Sequence, residues 1–156
     1  MTSTNYHACA LEIAGTGMLV EGPSGSGKTS LTLGLLERAE QMELSASLVA
    51  DDQVFIEHDS GNIFASVPAS IAGKLELYGF GIIEHRYQPQ TIVKLIVRLT
   101  EQTAIKRMPE NKFFELVGVS IPVIEVPRQH EQLAVRCVYA WLKKNADLQL
   151  PANHSN

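Results

Sequence analysis

Gly22-Pro23-Ser24-Gly25-Ser26-Gly27-Lys28-Thr29 follows the apolar stretch Met18-Leu19-Val20 and precedes an apolar-periodic run at Leu31, Leu35, Leu36 and Ala39. A glycine, four residues and Gly-Lys-Ser/Thr make the P-loop pattern, and the flanks supply the strand, turn and helix start it needs. Glycines let the backbone curl so that successive N–H groups point inward as an anion nest. The helix N-terminus adds its positive end. Lys28 brings a full charge to the outer phosphates, and Thr29 offers a hydroxyl to a magnesium ion. An ordinary glycine-rich turn would have no need of Lys-Thr at this spacing.

Working outward, Tyr6 to Ile13 reads as a strand, Gly15-Thr16-Gly17 as a turn, and Met18 to Glu21 as a second strand, together an antiparallel hairpin that feeds the loop. A helix is expected from Thr29 to Gln41, with Gly34 inside it at a cost of about 1 kcal/mol against Ala. Leu48-Val49-Ala50 is a short apolar run ending in Asp51-Asp52. Val54 to Ile56 and Ile63 to Val67 form a hairpin around the polar Asp59-Ser60-Gly61-Asn62. Gly73 to Ile83 alternates and then breaks at glycines, Thr91 to Leu99 is the strongest strand, and Thr100 to Lys112 reads as a loop. Pro122 and Pro127 confine any strand in 119–126 to a short or edge position. Glu131 to Lys144 is a helix with apolar positions Leu133, Val135, Val138, Tyr139 and Leu142, and a polar tail follows from Ala146.

The chain has 156 residues, 45% hydrophobic and 19% charged, and a formal net charge of -4. This describes one soluble globular domain with a substantial core. Basic stretches are lacking, which argues against nucleic acid as the main partner. Apolar runs are too short to span a membrane. Met1 leads into polar residues, unlike a secretory signal. Cys9 and Cys137 are far apart and lack metal-type spacing, so both read as buried thiols in a reducing compartment.

Asp51 and Asp52 stand where an apolar strand ends, the place where nucleotide-binding sheets gather ligands. One carboxylate there can hold magnesium and the other can act as a base toward an attacking hydroxyl. Neighbouring side chains on extended backbone point opposite ways, so the two need not share a role. A turn or cap would also explain an Asp pair. His7, Glu76 and Arg107 each have an ordinary explanation: a structural hydrogen-bonding histidine, a solvent-facing strand residue and a surface loop residue.

Taken in order, these segments resemble the HPr kinase/phosphorylase catalytic domain. The resemblance runs from about Tyr6 to Lys144: His7 before the hairpin, the loop Gly22 to Thr29, Leu48-Val49-Ala50-Asp51-Asp52, Gly73 to Ile83 with Glu76, Arg107 with Pro109-Glu110, and Gly118 to Pro122. It departs at Tyr78, where the family usually has Arg, and at Ala8, where it has Gly. A Gly-Arg-Asn segment is replaced near Pro127-Arg128-Gln129, which leaves Arg128 without an assigned role.

The resemblance implies an α/β fold with a mixed sheet and a nucleotide loop of the phosphoenolpyruvate carboxykinase type. It implies a short form consisting of the catalytic domain (1–145) and a polar tail (146–156). The implied reaction is transfer of the γ-phosphoryl of ATP to a serine hydroxyl of the HPr phosphocarrier protein, and the reverse with inorganic phosphate as acceptor, giving pyrophosphate and free serine. It assigns Asp51, assisted by His7, as the base, Thr29, Asp52 and Glu76 as the magnesium shell, Lys28 and the loop as the phosphate holders, and Arg107 as the residue that neutralises the transferring group. A cytoplasmic homohexamer is implied as well. Two other readings are a P-loop kinase of a small molecule, which would need an arginine-rich lid, and a non-enzymatic ATP sensor, which would not need Asp51, Asp52 and His7 together.

Overall fold

Among residues 3–148, which the computed structural model describes, nine of eleven strands build a curled mixed sheet with two α-helices on one face. The chain opens with β1 (Thr4–Tyr6), β2 (Cys9–Ile13) and β3 (Thr16–Glu21), which leads through the glycine-rich loop into α1 (Lys28–Gln41). β4 (Ala46–Ala50), β5 (Val54–Asp59) and β6 (Asn62–Ser66) follow, then the hairpin β7 (Lys74–Leu77) and β8 (Gly81–Glu84). The long β9 (Gln90–Thr100), β10 (Lys112–Leu116), β11 (Val119–Pro127) and α2 (Glu131–Asn145) complete the described chain. The main sheet runs β1-β5-β6-β9-β3-β2-β4, with β10 and β11 attached to the second half of β9. β3 therefore lies inside the sheet, parallel to β9 and antiparallel to β2.

Strict alternation along the inner strands makes two cores. Leu11, Met18, Val20, Leu95 and Val97 face the helices and meet Leu31, Leu35 and Val138. Ala10, Leu19, Val49 and Ile96 face the other way and are enclosed by Ile56, Ile63, Ile121 and Val123 as the sheet curls. Burial on both faces is why the sequence shows continuous apolar runs here. Truncating one of these side chains, for instance Leu35→Ala, should cost about 2–5 kcal/mol.

The β2–β3 hairpin, α1, β9 and α2 lie where the sequence predicts them. Several expectations are corrected. The strand expected over Tyr6 to Ile13 is two strands: β1 pairs with β5 and β2 with β3 and β4, and the chain changes partner at His7-Ala8. The hairpin turn is Ala14-Gly15, not Gly15 to Gly17, and both residues have positive φ. Gly17 lies within β3, where a Cβ would stand 2.1 Å from the Ile92 carbonyl oxygen of β9. Close approach of a neighbouring strand, not turn conformation, requires that glycine.

The β5–β6 connection is Ser60-Gly61 alone, because Asp59 and Asn62 pair across the ladder. Gly73 to Ile83 is mostly a separate two-stranded hairpin, with Leu75 packed into the helix-side core. Residues 101–111 form the expected loop, but Lys112 begins β10, which the sequence reading did not find. β11 is neither short nor at the edge. It pairs with β10 up to Val123 and with β9 from Val123 onward, so Pro122 sits where β9 makes no ladder bond. A proline lacking an N–H is tolerated where the strand is paired on one side only. Leu133 and Cys137 are only half-buried, whereas Ala134 of α2 is fully buried.

Candidate active site

Gly27 enters α1 at φ 98, a conformation that favours glycine, and caps the helix with its backbone. Ser26 N–H donates to the Pro23 carbonyl at 3.0 Å and Leu31 N–H to the Gly27 carbonyl at 2.9 Å, so the loop is closed before any ligand arrives. Lys28 is 6% exposed, and its Nζ donates to the Gly22 and Pro23 carbonyls at 3.0 and 3.3 Å. The ammonium thus folds over the loop whose backbone encloses it.

At the end of β4 the chain makes a tight turn. Gln53 N–H reaches the Asp51 carbonyl at 2.8 Å, and Asp52 takes φ 64, a left-handed conformation that Asp tolerates better than most residues. This turn separates the two carboxylates. Asp51 Oδ1 accepts from Thr29 Oγ1 at 2.6 Å and from Cys9 Sγ at 3.3 Å, and its Oδ2 accepts from the Glu76 backbone N–H at 2.8 Å. Asp52 Oδ1 lies 2.7 Å from His7 Nε2 and 3.6 Å from Lys28 Nζ. His7 reaches it because Tyr6 pairs with Val54 across the β1–β5 ladder, so the antiparallel strands carry His7 and Asp52 to the same end.

The structure therefore brings together Lys28, Thr29, Asp51, Asp52 and His7, but it distributes the carboxylates in the opposite sense from the sequence expectation. Thr29 meets Asp51, and His7 meets Asp52. Glu76 touches Asp51 through its main chain, with its side chain exposed. Arg107 is exposed in the loop before β10, and no hydrogen bond or ion pair joins it to the site among the described residues. The backbone of Arg128 passes beside the loop, its carbonyl oxygen 3.9 Å from where a Cβ on Gly27 would stand, while its guanidinium pairs with Glu101.

Cys9 is the buried thiol that the sequence predicts, but its contact with Asp51 is not foreseen there. It is fully buried, faces Val20 in the β2–β3 register, and its thiol is pushed up to about 12 by burial and by the Asp51 charge. The hairpin register places it at the loop end of β2, and that was the available signal. Among the described residues, no three His, Cys, Asp or Glu side chains gather as a metal cluster. Thr29 Oγ1 and the Asp51 carboxylate are nonetheless adjacent hard-oxygen donors, the kind that suit magnesium, which takes few protein ligands.

The fold defines a mixed-sheet α/β domain whose β3–loop–α1 unit carries the P-loop sequence pattern. Within that class, the chain belongs to the HPr Serine kinase C-terminal domain family, whose model matches residues 1–145. It is 30% identical over 135 residues to the HPr kinase/phosphorylase of Chloroherpeton thalassium, a match covering 79% of this chain and 38% of that protein. It is 35% identical over 134 residues to the HPr kinase/phosphorylase of Treponema pallidum subsp. pallidum, covering 78% and 40%. The chain thus spans about two fifths of the length of these curated relatives. The structure of the HPr(Ser) kinase/phosphatase from Coxiella burnetii has the same fold, with a TM-score of 0.76, 22% identity, and coverage of 92% of this chain and 93% of that one.

Proposed function

We propose that this chain is the catalytic domain of an ATP-dependent serine kinase acting on an HPr-type phosphocarrier protein, with a phosphate-dependent phosphorylase activity in reverse. Family membership and the names of the relatives support the substrate. The observation that carries the chemistry is the convergence of His7 Nε2 and Lys28 Nζ on Asp52 Oδ1 beside the phosphate loop.

In the kinase direction, the serine hydroxyl forms a bond to the γ-phosphorus as the bond to the β-phosphate bridging oxygen breaks. The hydroxyl proton must leave, and Asp52, held by His7, is the base that receives it. In reverse, inorganic phosphate attacks phosphoserine to give pyrophosphate, and the same carboxyl returns a proton to the serine oxygen. Lys28 and the loop N–H groups hold the phosphates and neutralise their charge. Magnesium would be held by Thr29 and Asp51, with Glu76 at the next position, and would supply charge neutralisation on the phosphates. Asp51 and Asp52 thus exchange the roles that the resemblance suggested. Arg107 as the neutralising arginine, a homohexamer and a cytoplasmic location remain part of the proposal on resemblance. No helix among the described residues is long and apolar enough to cross a membrane.

The test is incubation with labelled ATP, magnesium and a seryl phosphocarrier. Label should appear on the carrier's serine and be removed, as pyrophosphate, by added phosphate. Lys28→Ala should abolish both activities. A carrier that stays unlabelled at every phosphate concentration would overturn the assignment.

A further inference from the structure

Tyr6 stands one residue before His7, and its side chain leaves the ladder that its backbone joins. The phenol donates to Glu21 Oε2 at 3.0 Å. The other Glu21 oxygen accepts from Arg98 Nη2 at 3.1 Å, and the Arg98 guanidinium lies 5.5 Å from the Phe114 ring centroid. Glu21 is the last residue of β3, directly before Gly22. None of these groups has a role in the transfer chemistry above.

An ordinary inter-strand ion pair explains Glu21 and Arg98, which face each other in the β3–β9 register. It does not explain Tyr6. β1 is three residues long, lies at the sheet edge and pairs with β5 alone. Such a strand is weakly held by its own ladder. The phenol ties it to the strand that feeds the phosphate loop, through a hydrogen bond to a charged acceptor, the stronger kind. Three residues after Tyr6, Cys9 is fixed in β2 and bonded to Asp51. His7 and Ala8 therefore span two anchors, one at each side of the site.

We propose that Tyr6 is a positioning residue: its hydrogen bond to Glu21 fixes the His7–Asp52 pair relative to the phosphate loop. This rests on the transfer mechanism proposed above. Burial and the Glu21 charge push the phenol up to about 12, so it stays a donor across the working pH range. The tie matters because a misplacement of about 1 Å in a reacting constellation can cost about 100-fold in rate.

The test compares wild type with Tyr6→Phe, which keeps the ring and removes only the donor. The turnover number for serine phosphorylation should fall about 10-fold, a fraction of a general base's worth. The KM for ATP should stay within about twofold, since Lys28 and the loop are untouched. The melting temperature should drop by no more than about 4 °C. The NMR signal of the His7 ring should shift or broaden. Glu21→Gln, which can still bond the phenol, should keep more turnover than Glu21→Ala. Unchanged turnover, or equal losses of turnover and ATP affinity, would overturn the proposal, as would an unmoved His7 signal. Should wild type show no transfer at all, the functional reading fails, and the His7 signal alone then decides whether Tyr6 positions that ring.

Discussion

Asp51 and Asp52 are neighbours in the chain with different surroundings. Asp51 is half-buried and takes hydrogen bonds from the helix that follows the loop, from β2 and from the β7–β8 hairpin. Asp52 is exposed and meets one imidazole and one ammonium. A carboxylate fixed by three donors from three elements is suited to holding an ion in place. A carboxylate at the surface, next to a histidine and a lysine, is suited to meeting a substrate hydroxyl. The difference shows how a single left-handed residue can place two neighbouring carboxylates in different surroundings.

Substitutions can break this contrast. The largest effect is expected from Asp52→Asn, which should lower the turnover of serine phosphorylation by about 10²–10⁴-fold. ATP affinity in that variant, measured by calorimetry, should be unchanged. His7→Ala should lower turnover by about 10–100-fold, less than loss of the base itself, because the histidine holds a carboxylate that remains. Asp51→Asn should act on a different quantity, weakening magnesium-dependent ATP binding by about 10-fold or more, since even an outer partner of a metal ligand is worth about that much. Should Asp51→Asn stop transfer with magnesium–ATP binding intact, and Asp52→Asn lose that binding, the roles revert to those suggested by resemblance.

The smallest effect concerns Cys9, whose thiol bonds the Asp51 carboxylate. Its folded pKa is raised from an ordinary value of 9.0 to about 12. The folded state therefore holds the proton longer than the unfolded state. The associated stability is fully present below pH 9 and is lost as pH rises toward 12. Relative to wild type, Cys9→Ala should flatten that alkaline fall in denaturant titrations. At pH 8.5 the buried Cys9 should also be alkylated much more slowly than the half-buried Cys137.

Much of this was legible in the sequence. The strand-loop-helix unit around Gly22 to Thr29 could be read because its shape is carried by local backbone geometry, which glycines at fixed spacing dictate. The inner strands could be read because burial on both faces leaves an apolar run. β10 was not legible: Lys112-Phe113-Phe114-Glu115-Leu116 is exposed except at Leu116, so it lacks the signature of a buried strand. The full extent of β11 was hidden by Pro122, whose tolerance depends on the ladder changing partner at Val123. Arg128 showed no signal, because its place beside Gly27 results from the packing of the β11–α2 connection onto the loop.

The sequence by itself determined an α/β domain with a strand-loop-helix unit of P-loop pattern and two acidic residues at a strand end. Spacing and periodicity act over a few residues and survive without knowledge of the partners. Only the tertiary structure decided which carboxylate faces which group. That choice depends on the left-handed turn at Asp52, on β1 leaving β2 to pair with β5, and on the β7–β8 hairpin presenting its Glu76 N–H to Asp51. The turn is local but set by packing at the end of β4, and the other two are contacts between segments far apart in the chain, which no local pattern encodes.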